Sequence, residues 1–249
     1  MFIDWLSGNL GNEGEYMYKE IHIVSTIIVV AVLIILSIIA LNKKISDKNK
    51  RIILNVVAIF QLSFEILWRV IYLFVLNTNP VNFWPMYPCN LGGVLIPIIA
   101  LINNRTLKDM FYVFGFVGAC LTFAMPEGIF CRDVMSFPIL KSVLQHTGLL
   151  LIPSFEYFSK TYRQTIKRYY LLVIGCLVHF INCEVIDRLF GLTGDYMFYQ
   201  SGIPFVIPGV SQYITLSVFA LIVFYILVFL LNIKDGIDHY KKLFGKKNK

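Results

Sequence analysis

Paired cysteine motifs, nucleotide-binding motifs, sequence repeats and long polar segments are all missing from this chain, and each absence narrows what it can be. The cysteines, Cys89, Cys120, Cys131, Cys176 and Cys183, are odd in number and have no CxxC spacing. Neither a disulfide framework nor a zinc site is therefore expected, and most should be small core residues with no metal bound. Without a nucleotide-binding motif, any active transport would have to rest on ion coupling or a partner. Without a repeat or a low-complexity linker, a transporter built from two inverted halves gains no support. No polar segment is long enough to fold separately, so one domain over residues 1–249 is expected, with an outer segment 1–20 and a basic tail 232–249. A cleavable signal is not evident either. The first apolar run follows an acidic polar stretch and is long enough to be retained as a spanning helix.

What the chain does have is apolar sequence. It is 57% hydrophobic with a mean hydropathy of +0.71, above the roughly 45–50% usual for soluble domains. Apolar runs approaching the ~20 residues a membrane helix needs occur at Ile21 to Leu41, Ile52 to Leu76, Pro88 to Ile102, Met110 to Met125, Ile139 to Phe158, Tyr169 to Phe190 and Ser211 to Leu231. The third and fourth are short. Lysine and arginine give an independent test, because near span ends they are retained on the cytoplasmic side. Lys43, Lys44, Lys48, Lys50 and Arg51 follow the first run, Arg105 and Lys108 the third, and Lys160, Arg163, Lys167 and Arg168 the fifth; six more lysines lie in the tail. The opposite side has only Lys19 and Arg132. The expectation is an all-α polytopic transmembrane bundle of about seven spans in the cell membrane, N-terminus outside and C-terminus cytoplasmic. The net charge of +7 then reads as basic loops facing anionic lipid, not as a nucleic-acid surface. Trp84, Tyr87, Tyr196, Phe198 and Tyr199 fall in the outer loops as an interfacial belt. Pro80, Pro85, Pro88, Pro204 and Pro208 make those loops irregular.

An ionisable group inside the bilayer costs about 2.5–3.5 kcal/mol on insertion scales, so each one asks for a partner or a purpose. Glu65 and Arg69 share one helix face at i, i+4, as do Glu184 and Arg188. His179, Asn182, Cys183 and Asp187 join the second pair near the outer end of the sixth run, while Lys141, Gln145 and His146 occupy the outer half of the fifth. Cys89 and Asn90 begin the third. On this reading the polar groups gather in the outer half and the cytoplasmic halves of the spans are almost purely apolar. Interhelical hydrogen bonds would explain some of these groups, but so many at one depth point to an outward-facing polar cavity.

Within that set Cys89 and His146 have the residue types of a thiol nucleophile and its base. His146 lies about 10 Å by helical rise inside its run. Cys183 and His179, at i, i+4, are an equally legal pair, and residue types alone do not choose between them. The stretches WPMYPCNLGG (Trp84 to Gly93), RTLKDMFYVFGFVGACLTFAMPE (Arg105 to Glu127), QHTGLLLIP (Gln145 to Pro153) and GDYMFY (Gly194 to Tyr199) together resemble the YwaF-like family of integral membrane proteins. That family includes transmembrane protein 164, a lipid acyltransferase of animals.

The resemblance implies a membrane-embedded lipid acyltransferase or transacylase that moves an acyl group between phospholipids through a thioester on Cys89, with His146 as general base and then acid. It implies no organic or metal cofactor. Asn90 would orient the substrate or its oxyanion, and Glu65, Arg69, Tyr87, Asn182, Glu184, Arg188, Asp195 and Tyr196 would line the substrate site. The chain departs from the bacterial pattern at Tyr87, where a histidine often stands, and at Asp195, where an asparagine often does. Two other readings stay open: a transporter or ligand-binding protein using the outer cavity, and a lipid hydrolase with water as the acceptor.

Overall fold

A computed structural model describes residues 1–126, 128–191 and 212–233. Among the described residues the regular structure is helical and contains no strand; a single bridge joins Glu13 to Arg132. A short helix α1 (Phe2–Ser7) precedes seven longer ones: α2 (Glu20–Leu41), α3 (Asp47–Phe74), α4 (Pro88–Ile102), α5 (Arg105–Ala124), α6 (Phe137–Phe158), α7 (Tyr169–Phe190) and α8 (Gln212–Leu231). Each apolar run of the sequence thus forms its own helix. By length and composition α2, α3, α5 and the segment Ile166–Phe190 suffice to cross a membrane.

Lipid is the environment the side chains call for. Helix α2 leaves Ile27, Ile28, Ile34, Ile35 and Ile38 more than half exposed, and its mean hydropathy leaves no polar face to turn toward water. Water would penalise each of these side chains; hydrocarbon does not.

Helix α4 is the hub, packed against α3, α5 and α6. Ile96, Ile99 and Ala100 from α4, Leu149 and Ile152 from α6, and Phe111 and Tyr112 from α5 form the main buried cluster. Two glycines permit the close approach. A Cβ on Gly93 would sit 2.8 Å from Glu65 Oε1 and 2.7 Å from Gln145 Nε2, and one on Gly148 would collide with the Gln61 side chain. Outside this core, α7 and α8 pack on α5 through Leu172, Phe224 and Val228 against Val113, Phe114 and Val117.

At 15 residues, α4 is about 22 Å long by helical rise, short of the ~30 Å hydrocarbon thickness. Its end is finished by protein instead of water: Arg51 donates to Ala100 O at 2.6 Å and Leu101 O at 2.9 Å. These are C-terminal carbonyls with no partner inside the helix, and a cation also suits the negative end of the helix dipole.

Two expectations are corrected. Helix α5 starts at Arg105, five residues before the apolar run, because Asn104 Oδ1 caps it by accepting from Leu107 N at 3.1 Å and the charged residues of its first turns find buried partners. For the same reason the ends of the helices near the basic connections are not apolar. Lys108 Nζ donates to Glu156 Oε1 at 2.7 Å and to Asn103 Oδ1 at 2.5 Å. Asp109 binds Arg168 Nε at 2.5 Å and accepts from Tyr162 OH at 2.9 Å. Lys108, Asp109 and Glu156 are each at most 2% exposed. Tyr162 lies in the α6–α7 connection, and burial pushes its phenol well above the ordinary value of 10.0, so it remains a donor to Asp109. Apolar averaging hid this network: single charges in otherwise apolar runs look like span ends until their partners, far apart in sequence, are in place.

The N-terminal segment is also more ordered than an outer polar stretch would be. Leu6 is buried with Trp68 and Phe137, and Trp5 Nε1 donates to Met135 O at 2.8 Å. Asn12 donates its backbone and side-chain N–H groups to the two oxygens of Asp133 at 2.7 and 2.6 Å.

Candidate functional site

At the end of the bundle covered by the N-terminal segment, α3, α4 and α6 enclose a polar cluster. From α3 come Gln61, Glu65, Trp68 and Arg69, one helical face at successive turns. Glu65 is completely buried. Its Oε2 accepts from Arg69 Nη1 at 2.6 Å and Trp68 Nε1 at 2.8 Å, and its Oε1 from Gln61 Nε2 at 3.3 Å. A buried carboxylate needs such company, since desolvation without it would cost several kcal/mol.

From α6 come Lys141, Ser142, Gln145 and His146, again at helical spacing. Gln145 Nε2 donates to the backbone oxygen of Cys89 at 2.8 Å and to Asn90 Oδ1 at 3.0 Å; Lys141 Nζ donates to the same Oδ1 at 3.3 Å. The first turn of α4, which carries Cys89, is therefore fastened to α6. His146 Nδ1 lies 2.7 Å from Ser142 O. A carbonyl only accepts, so Nδ1 holds the proton and Nε2 the lone pair. That Nε2 is buried and has no hydrogen-bond partner among the described residues.

Lys141 Nζ lies 4.4 Å from the Trp68 ring centroid and the Arg69 guanidinium 4.3 Å from it. A cavity of about 430 Å³ adjoins the cluster, bounded among others by Trp68, Tyr72, Phe83, Asn90, Lys141 and Ser142.

Glu65, Arg69, Asn90 and the Cys89 backbone are thus brought together through Trp68, Lys141 and Gln145, while His146, next to Gln145 on α6, has its ring 6.3 Å from that of Phe123 on α5. Cys89 is half-buried, and among the described residues no hydrogen bond joins its thiol to His146. Tyr87 occupies the N-cap position of α4. Asn182 sits elsewhere and holds the chain leading into α4: its Oδ1 accepts from Trp84 Nε1 at 2.8 Å, and its Nδ2 donates to Pro85 O at 3.3 Å. Glu184 and Arg188 pair at 3.4 Å on the outer surface of α7, with side chains 44% and 82% exposed, away from the cluster. Asp195 and Tyr196 lie outside the described residues.

The second thiol–imidazole pair is in contact. Cys183 Sγ is 3.7 Å from His179 Nε2, and it also donates to Met86 O at 3.1 Å. Gln61, Trp68 and Ser142 escaped the sequence reading, and Lys141 and Gln145 were read only as intramembrane polar groups. The signal for all five was helical phase, since each lies three, four or seven residues from Glu65, His146 or another member of its face.

Among the described residues no group of His, Cys, Asp and Glu has the makings of a metal site. A charged and polar cluster enclosed by apolar helices defines an all-α integral membrane protein with an internal polar site. Within that class the chain belongs to the TMEM164 family, whose family model matches residues 17–229. No curated protein and no solved structure matches the chain.

Proposed function

We propose that this protein is a multi-pass membrane acyltransferase that moves an acyl chain between phospholipids through a thioester on Cys89, in a seven-span topology with the cluster on the outer side of the cell membrane. The observation that carries the reading is the buried, unpartnered Nε2 of His146, one residue from Gln145, which holds Cys89's own carbonyl at 2.8 Å. A neutral imidazole with a free lone pair is the form a general base needs. The TMEM164 family match, and the likeness to a family of integral membrane proteins that includes an animal lipid acyltransferase, support the same assignment.

The chemistry is a double displacement. His146 Nε2 takes the Cys89 thiol proton, and the thiolate attacks the ester carbonyl of the donor lipid. As the tetrahedral intermediate collapses, the C–O bond breaks and the imidazolium returns its proton to the departing alkoxide, leaving a thioester and a lysolipid. The acceptor hydroxyl then gives its proton to His146 and attacks the thioester, regenerating the thiol. Asn90 suits the oxyanion. Its Oδ1 accepts from both Lys141 and Gln145, which fixes the amide orientation and leaves Nδ2, a donor, as the group that would serve the oxyanion. Glu65 and Arg69 hold the α3 face of the site, and no cofactor enters the scheme.

The contact between Cys183 and His179 supports a rival nucleophile, so the test compares both. Purified protein incubated with phospholipid vesicles is weighed intact before and after hydroxylamine. A labile acyl adduct that survives Cys183→Ala and vanishes in Cys89→Ala is the expected result; the reverse pattern moves the chemistry to α7. No adduct on folded protein with any donor lipid would leave the cavity as a binding or transport site. Adding acceptor lipid separates transfer from hydrolysis, by whether a new lipid or free fatty acid appears.

A further inference from the structure

We infer that Lys141 is the anchor for the phosphate of a lipid ligand whose headgroup occupies the cavity bounded by Trp68, Tyr72, Phe83, Asn90, Lys141 and Ser142. This assigns the residue and the cavity that would hold the substrate's phosphate, and it rests on that reading only in taking the bound lipid as its substrate.

The argument begins with charge balance. The cluster contains two cations, Arg69 and Lys141, and one carboxylate, Glu65. Glu65 is committed to Arg69 at 2.6 Å, with Trp68 and Gln61 filling its remaining acceptor positions. Arg188 at the same end of the bundle has its own partner in Glu184. Lys141 alone of the three has no carboxylate within ion-pair distance among the described residues. Its ammonium is held only by the neutral Asn90 Oδ1 at 3.3 Å and by the Trp68 ring face. Three N–H donors are available on that group, and these neighbours leave donors over.

A cation inside an apolar bundle whose neighbouring carboxylate is already paired with another cation is costly to maintain, and the cost falls when an anion arrives. The cavity supplies the space: about 430 Å³ lies within the ~300–1,000 Å³ usual for small-ligand sites. Its walls say which anion. Trp68, Tyr72, Phe83, Ile129 and Pro138 present apolar and aromatic surface around a single cation. A free hydrated phosphate gains nothing from such walls, whereas the glycerol and first methylenes of a phospholipid do. Of the polar members, Asn90 follows Cys89 in the first turn of α4, and Ser142 lies one turn before His146 on α6. A lipid anchored by its phosphate at Lys141 has its ester linkages a few bonds away from the first turn of α4, where Asn90, the Lys141 partner, follows Cys89.

The test measures binding with a lipid that cannot react. A diether phosphatidylcholine, the matching dialkylglycerol and inorganic phosphate are titrated separately against the purified full chain in a phosphate-free maltoside detergent and followed by native mass spectrometry. The wild type is expected to bind the ether phospholipid at least about ten-fold more tightly than the dialkylglycerol, in keeping with a hydrogen bond to a charged group. Lys141→Met should abolish that preference while leaving the dialkylglycerol affinity unchanged, and Lys141→Arg should retain it. Ile129→Trp, which fills the cavity with the cation intact, should weaken the phospholipid as well.

Equal wild-type affinity for the two lipids overturns the proposal without any variant. So does a Lys141→Met protein that keeps the preference or loses both lipids alike, an Ile129→Trp protein that binds phospholipid normally, or inorganic phosphate binding as tightly as the lipid. Because the ether lipid has no acyl group, its binding is read independently of the thioester, so phosphate-dependent binding together with no thioester from diacyl phospholipid vesicles would refute the transfer reading and leave this one standing. A thioester without phosphate preference would do the opposite.

Discussion

Removing one partner from the buried Lys108–Glu156 pair should be among the most damaging single changes in the molecule, and removing both should be far milder. Lys108 Nζ lies 2.7 Å from Glu156 Oε1, and the side chains are 2% and 0% exposed. In Lys108→Met, the one cation left in an ion pair with Glu156 among the described residues is Arg51, whose Nη1 is 3.6 Å away, and the carboxylate stays buried. Stranding a buried charge costs about 3–5 kcal/mol. A loss of that size lowers the unfolding midpoint by on the order of 10 °C for a chain of this length. In the double variant Lys108→Met/Glu156→Gln no charge is stranded. Arg51 keeps its bonds to Ala100 O and Leu101 O and is partly exposed, so most of the loss should return, as it does when buried ion pairs are replaced whole. The assay is thermal or denaturant unfolding of the purified protein in one detergent, for wild type, both single variants and the double, closed as a double-mutant cycle. A Lys108→Met protein within about 1 kcal/mol of wild type, or a double variant less stable than either single, would refute the reasoning.

Other outcomes follow from the same contacts. Gly148→Val places branched carbons where the Gln61 side chain lies and should cost about 1–3 kcal/mol, read as a lower midpoint; Gly118→Val, with open space around it, should cost much less. Asn182→Ala removes the acceptor of Trp84 Nε1, so Trp84 fluorescence should change and the segment leading into α4 should exchange amide hydrogens faster, while the contacts of α7 with α5 persist. Asp133 is held below its ordinary value of 3.8, first by the Asn12 backbone N–H and next by the Asn12 side chain. A depressed carboxyl stabilises the fold above its unfolded pKa and loses that effect as pH falls through the folded value. Hydrogen exchange at residues 9–16 should accordingly be flat between pH 5 and 8 once corrected for intrinsic rates, and should rise only below the ordinary aspartate range. A change centred near pH 6 would contradict the assignment.

Much of the architecture was legible in the amino-acid order. Apolar runs determined the positions of the helices, because a stretch with no polar face can be stable only where backbone hydrogen bonds close on themselves and the side chains meet lipid. Helical phase put Glu65 beside Arg69 and Glu184 beside Arg188, since i, i+4 neighbours touch whatever the rest of the fold does. Whether such a pair faces the interior is decided by the helices around it. Glu65 is enclosed by α4 and α6, while among the described residues the Glu184 and Arg188 side chains stay 44% and 82% exposed. Lys108 with Glu156, Asp109 with Arg168, and Lys141 with Asn90 belong to tertiary structure for the same reason. Each joins residues about fifty to sixty positions apart, and a charge in an apolar run has no visible partner until another part of the chain supplies it. The residue types of Cys89 and His146 were plain from the start. It took the packing of α4 against α6 to fasten the Cys89 turn through Gln145, and the Ser142 carbonyl to fix which nitrogen of His146 bears the lone pair.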